Sequence, residues 1–302
     1  MKTHLDCIPC FARQALEAAR MATEDQEERL HIMRRVMRKA SSFPEDAPPP
    51  AMGGAIHRII REVTDDADPY CEIKRRANEF ALELLPDARD TATGADKPFE
   101  TALRLAIAGN VMDWGAKAHT DVSEDAVEQM LHEALDAPLV GDSPEGLKRR
   151  IQGADDVLYL ADNAGEIVFD RLLISLLPCP HVTVAVKGSP TINDATMEDA
   201  RQVDLVSRAE VVDTGGDTPG AVLDQCSKLF KELFEDADVV IAKGQGNYEA
   251  LSDVDRHVVF LLKAKCPVVA GEIGCEVGDM LLLDEGRTLV TTNPEVEKDA
   301  TV

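Results

Sequence analysis

The sequence predicts an α/β fold: a mostly parallel β-sheet flanked by helices, preceded by an all-helical N-terminal subdomain. Three observations predict it. Up to about residue 150, apolar residues recur at helical spacing. Beyond that point, short β-branched runs alternate with helical segments, the pattern of α/β proteins. The runs, such as DVLYLA and DVVIAK, are apolar on consecutive positions rather than alternating, as expected of strands buried on both faces.

The helical half begins with CIPCFARQALEAARMA, whose apolar residues share one helix face. EDQEERLHIMRRVMRKASSF follows, with acids early and bases late, as the helix dipole favours. FPEDAPPP breaks the chain, because proline cannot continue a helix. GGAIHRIIREV and DPYCEIKRRANEFALELL supply two more helices, the second with Asp68 as N-cap and Pro69 in its first turn. KPFETALRLAIAGNVMDWGA is a further helix interrupted at Gly109 and Asn110, and SEDAVEQMLHEAL is amphipathic.

In the second half DVLYLA, VTVAVKG, EVVDTG, DVVIAKG and PVVAGE read as strands, with TLVTTN as a last edge strand. GEIVFDRLLISLL, TMEDARQVDLV, PGAVLDQCSKLFKELFEDA and DVDRHVVFLLKAK read as the helices between them. The expected division is therefore residues 1–150 as the helical subdomain and 151–302 as a Rossmann-like α/β subdomain, with a cleft between the two. In such sheets ligands bind beyond the carboxyl ends of the strands.

Bulk properties narrow the function. The 302 residues are 44% hydrophobic and 29% charged, enough for a packed core. The net charge of -24 argues against a nucleic-acid partner and against an anionic membrane surface. It also means that a phosphate substrate would need local positive charge or a bound metal. No apolar run reaches the ~18 residues of a membrane-spanning helix, and MKTHLDCIPCFARQ lacks a signal-peptide core. Seven cysteines, an odd number without regular spacing, do not form a secreted disulfide framework, and a cytoplasmic location is expected.

The corners after the strands collect polar residues: Asp162, Asn163, Gly165 and Glu166; Lys187, then Asn193 and Asp194; Lys243, Gly244, Gly246 and Asn247. Carboxylate and carboxamide oxygens suit hard divalent cations. Asp162, Asn163 and Asp194 are candidate ligands, and Lys187 and Lys243 candidate partners for phosphate oxygens. Gly165, Gly244 and Gly246 would let backbone amides approach an anion. Each feature also has a plain use, since Asp and Asn are ordinary turn formers and a lysine ending a strand is commonly solvated.

ADNAGEIVFDR, KGSPTINDAT and AKGQGNYEAL, in that order, resemble the metal-dependent damage-control phosphatases. CIPC, DPYCEIKRRAN and AGNVMDWGA in the helical half match as well, and the CxxC suggests the prokaryotic, cysteine-containing branch. The resemblance implies a helical subdomain on a Rossmann-like one, with a divalent metal (manganese, magnesium, nickel or cobalt) between them. It implies Asp162, Asn163 and Asp194 as metal ligands, Lys243 near the phosphate, and Asn247 near the substrate. It brings Asn110 and Asp113 to the cleft from the helical side, with Glu166 and Lys187 as further substrate-facing candidates. Asp113, Asp194 and Lys243 are the catalytic candidates. The implied substrates are small phosphate esters, sugar phosphates or damaged and surplus phosphometabolites. Direct hydrolysis and an aspartyl-phosphate route both remain open.

Cys7 and Cys10 form the one close cysteine pair, a candidate second metal or redox site. Zinc would need about four ligands, and no second CxxC exists. His57, His132 and His257 fall in helix-like segments and suit packing roles. Rival readings are a nicotinamide- or S-adenosylmethionine-binding enzyme and a non-catalytic CxxC module. The first lacks its glycine loop, because ADNAGE after the first strand offers one glycine.

Overall fold

The structure is a computed structural model, and it describes residues 1–111 and 124–284. Its first three helices are α1 (Cys7–Ala22), α2 (Gln26–Ala40) and α3 (Pro49–Thr64). They form a bundle around Phe11, Ala15, Ile32, Val36, Met52, Ile56 and Ile60. Asp25 starts α2 by accepting from the backbone N–H groups of Glu27 and Glu28. The proline run does more than break the chain. Pro49 and Pro50 occupy the first turn of α3, where no backbone N–H is needed.

The next helices are α4 (Cys71–Gly94), α5 (Pro98–Ala108) and α6 (Glu124–Asp136), with a short 3₁₀ turn, Gly109–Val111, after α5. Asp68 is not the N-cap of α4. That position is Tyr70, and Asp68 instead closes the preceding turn by accepting from the Tyr70 N–H at 3.1 Å. Leu85, Ala92, Leu103 and Ile107 of α4 and α5 share one core with sheet residues Val157 and Tyr159. These helices therefore cover a face of the sheet, apart from the three-helix bundle.

The remaining elements are β1 (Leu139–Gly141), α7 (Pro144–Gln152), β2 (Asp156–Leu160), α8 (Glu166–Ile174), β3 (His181–Val186), α9 (Met197–Gln202), β4 (Glu210–Asp213), α10 (Lys228–Asp236), β5 (Val239–Lys243), α11 (Gly244–Leu251), β6 (Val259–Lys263), α12 (Pro267–Ile273) and β7 (Met280–Leu283). The strands form one sheet in the order β1-β7-β6-β5-β2-β3-β4. All neighbours are parallel except β6 and β7. The chain enters the sheet at β1, and residue 150 lies within α7. Among the described residues no helix is long and apolar enough to cross a membrane.

Three expectations need correction. VVFLLKAK, read as helical, contains strand β6, which is buried on both faces. PVVAGE, read as a strand, is helix α12. Pro267 begins it, and the Cys266 thiol accepts from the Val269 N–H at 3.4 Å. Apolar runs this short carry no decisive period, so the proline start signal was the better guide. Strands β1 and β7 were not anticipated, and TLVTTN lies outside the described residues.

The order of strands fixes where a ligand can sit. From β2 the chain moves outward through β3 and β4, then returns to the other side of β2 at β5. The crevice beyond the carboxyl ends of β2 and β5 is the topological switch point.

Candidate metal centre

Two corners meet at that crevice. After β2, residues 162–164 leave the sheet and pair antiparallel with residues 193–195. Ala195 N–H donates to Asp162 C=O at 2.8 Å and Ala164 N–H donates to Asn193 C=O at 2.9 Å. This pairing sets Asn163 directly opposite Asp194. The structure thus brings together Asp162, Asn163 and Asp194, and all three are buried. Lys187, at the end of the β3 corner, lies 3.3 Å from Asp194 Oδ2.

Two carboxamides tie two carboxylates together. Asn110 Nδ2 donates to Asp162 Oδ2 at 2.9 Å and to Glu166 Oε2 at 2.7 Å. Asn163 Nδ2 donates to the same two oxygens, at 2.8 and 3.0 Å. Asn110 reaches in from the 3₁₀ turn after α5, so both halves of the chain build the site. Asp113 and Trp114 lie outside the described residues.

Lys243 stands beneath this cluster and is fully buried. Its ammonium donates to Glu166 Oε1 and Asp170 Oδ1, both at 2.6 Å, and to Ala106 C=O at 2.9 Å. All three protons are used within the protein. Burial works to lower the Lys243 pKa, but Asp170 and Glu166 outweigh it and hold the group protonated well above its ordinary range. Asp170 also accepts from the Tyr159 hydroxyl at 2.7 Å. Burial, reinforced by Glu166 and opposed by Lys243, pushes Asp170 up to about 7.

Asn247 is likewise enclosed. Its Oδ1 accepts from the Ala221 N–H at 3.0 Å, and Nδ2 donates to Lys243 C=O at 2.7 Å. It pins the start of α11 to its surroundings. The glycines here serve close packing. At Gly244 the backbone is left-handed (φ 77°), and a Cβ would stand 1.8 Å from Asp162 Oδ2. A Cβ on Gly246 would stand 1.7 Å from Pro219 C=O, so this glycine accommodates chain against chain rather than an anion.

Cys7 and Cys10 lie in the first turn of α1, unpaired and half-buried. Burial raises the Cys7 thiol, which does not favour a reactive thiolate. Among the described residues no three His, Cys, Asp or Glu side chains converge as metal ligands. A cation at the switch point would therefore use carboxamide oxygens beside the carboxylates. His257 is in a loop rather than a helix, facing Asp284 at 3.5 Å.

The residues fit a hard divalent cation. Asn110 Oδ1 is a buried acceptor with no hydrogen-bond partner among the described residues. Burial and the Glu166 charge raise Asp162 to about 6, a repulsion that a nearby cation would relieve. Every candidate donor is oxygen, as hard cations prefer.

Sequence reasoning assigned no role to Asp170, Tyr159, Lys74, Asn78 or Asp199. Asp170 left a signal as the one acid inside the largely apolar run IVFDRLLI, and Lys74 and Asn78 left one in their i, i+4 spacing on a buried helix face.

Known proteins resemble the chain over most of its length. The model of the damage-control phosphatase ARMT1-like domain matches residues 3–281. A damage-control phosphatase of Archaeoglobus fulgidus is 36% identical over 293 residues, covering 93% of this chain and 98% of that protein. One from Pyrococcus horikoshii is 36% identical over 288 residues, covering 94% and 98%. The crystal structure of a Pyrococcus horikoshii protein of this family superposes with a TM-score of 0.85 at 34% identity, covering 95% of this chain and all of that one. The chain belongs to the damage-control phosphatase family.

Proposed function

We infer that this chain is a divalent-cation-dependent phosphatase acting on small phosphorylated metabolites, sugar phosphates or damaged and surplus phosphometabolites. The observation that carries the reading is the pairing of residues 162–164 with 193–195 at the switch point, which sets Asn163 opposite Asp194. Asp162, Asn163 and Asp194 would hold the cation, with Asn110 Oδ1 beside them. When bound, the cation supplies positive charge for phosphoryl oxygens in an otherwise acidic protein. Lys187 would add a second positive group at the phosphate. Glu166 acts through Asn110 and Asn163, whose amides it orients. Lys243 holds the Glu166 carboxylate in place through a 2.6 Å hydrogen bond, and in this reading it supports the site from below rather than touching substrate. Asn247 positions the corner after β5 in the same way.

Manganese, magnesium, cobalt and nickel all suit this oxygen donor set. Seven unpaired cysteines favour a reducing, cytoplasmic compartment. The α1–α3 bundle is proposed to supply the wall against which the substrate's non-phosphate part rests.

A panel of sugar phosphates, phosphorylated cofactor fragments and a chromogenic phosphate ester tests the substrate class. Inorganic phosphate release from some members with added manganese is the expected result. Release from none of them, by folded and manganese-loaded protein, would refute the reading.

A further inference from the structure

The two corners that carry the candidate ligands are joined by side chains from other elements. Asn78, on α4, is fully buried and uses its whole carboxamide. Its Oδ1 accepts from the Gly165 N–H at 2.7 Å. Its Nδ2 donates to Asp199 Oδ1 at 2.9 Å and to Gln202 Oε1 at 2.8 Å. The amide orientation is fixed, because a backbone N–H can only donate.

Asp199, on α9, carries the connection to the second corner. Its Oδ2 accepts from the Thr196 N–H at 2.8 Å and from the Thr196 hydroxyl at 2.7 Å. Lys74, one turn before Asn78, lies 3.3 Å from the same oxygen and 2.7 Å from Asp68. Gly165 is two residues beyond Asn163, and Thr196 is two residues beyond Asp194. One buried carboxamide and one buried carboxylate therefore link both corners through four short hydrogen bonds.

We propose that Asn78 and Asp199 are positioning residues that set the separation of the Asp162–Asn163 corner from the Asp194 corner, and so the affinity of the site for a divalent cation. The proposal rests on the metal reading given above. Groups that orient metal ligands from behind commonly govern affinity, because the ligands themselves sit on loops free to separate. Here the corners pair through only two backbone hydrogen bonds, and the helical α4 is the rigid body to which both are fastened.

Isosteric exchanges test it. In Asn78→Asp the acceptor for Gly165 remains, but the second oxygen faces the Asp199 carboxylate. In Asp199→Asn the carboxamide cannot both accept from Thr196 and accept from Asn78. The double exchange Asn78→Asp with Asp199→Asn restores the contact between the two, since the new amide donates to the new carboxylate and still accepts from Thr196, while the Gln202 carboxamide turns over to donate to the new carboxylate at the expense of its exposed hydrogen bond to Arg75 C=O. The measurement is Mn²⁺ binding by calorimetry on chelator-stripped protein, with thermal unfolding recorded in chelator. Each single variant is expected to bind Mn²⁺ about tenfold to a hundredfold more weakly. The double variant is expected to return to within about threefold of wild type, as coupled neighbours do. Singles that bind within about twofold of wild type, or a double as weak as the singles, would overturn the clamp. Uptake of no Mn²⁺ by the wild type would overturn the metal reading and the clamp together. Unchanged uptake in the variants would overturn the clamp alone.

Discussion

Replacing Lys243 by methionine isolates the cation that lies beneath the site. Its ammonium is fully buried and makes two charge-assisted hydrogen bonds of 2.6 Å, to Glu166 and Asp170. Methionine fills a similar volume and leaves two carboxyl groups in the interior with no cation. Breaking a buried pair in this way costs about 3–5 kcal/mol. Asp170 already takes up a proton below about pH 7 beside Lys243, so acid stabilises wild type and variant through the same group and the deficit is read at pH 7. Urea unfolding at pH 7 should show a deficit of about 3–5 kcal/mol. A deficit below about 1 kcal/mol would refute the assignment of Lys243 as the neutralising group.

Two further perturbations follow from the same structure. Gly244→Ala strains a left-handed backbone by about 1–2 kcal/mol and drives the new methyl into Asp162 Oδ2. Calorimetry should find Mn²⁺ binding weakened at least about tenfold in a protein that still folds, and wild-type affinity would show that the Asp162 carboxylate has room to move. His57 is buried against Tyr70, and burial, aided by Arg61, lowers it to about 3. A lowered histidine makes the unfolded chain bind more protons, so its contribution is complete above about pH 6.5 and is lost as pH falls toward 3. Between pH 6.5 and 5 the loss is about 2 kcal/mol, and the unfolding free energy of His57→Leu should lack that part of the acid slope. An unchanged slope in the variant would place the titration elsewhere.

The gathering of the candidate ligands was legible because Asp162 and Asn163 adjoin in sequence and all three, with Asp194, lie in the segments that follow β2 and β3. ADNAGE after a buried run and IND after the next one locate Asp162, Asn163 and Asp194, and the parallel α/β pattern says that such ends converge. The direction of each side chain was not legible. Lys243 ends a strand, and only the packing of α8 against α5 shows that it turns inward to Glu166 and Asp170. Asn78 was unreadable for a different reason: its three partners lie 87, 121 and 124 residues away, and no local pattern encodes them. The fold erred where runs were shortest. VVFLL and PVVAGE are both apolar and β-branched, and their states are decided by Pro267 and by the place left in the sheet between β5 and β7.

The most direct measurement is phosphate release as a function of added Mn²⁺, made on chelator-stripped wild type and on Asp162→Ala side by side. Stripped wild type should be inactive and regain release with a saturable dependence on Mn²⁺. Asp162→Ala should stay inactive at every concentration while unfolding like the wild type. Release by the stripped wild type without added metal, or equal release by the variant, would contradict the account, because Asp162 would then hold no cation at the phosphate.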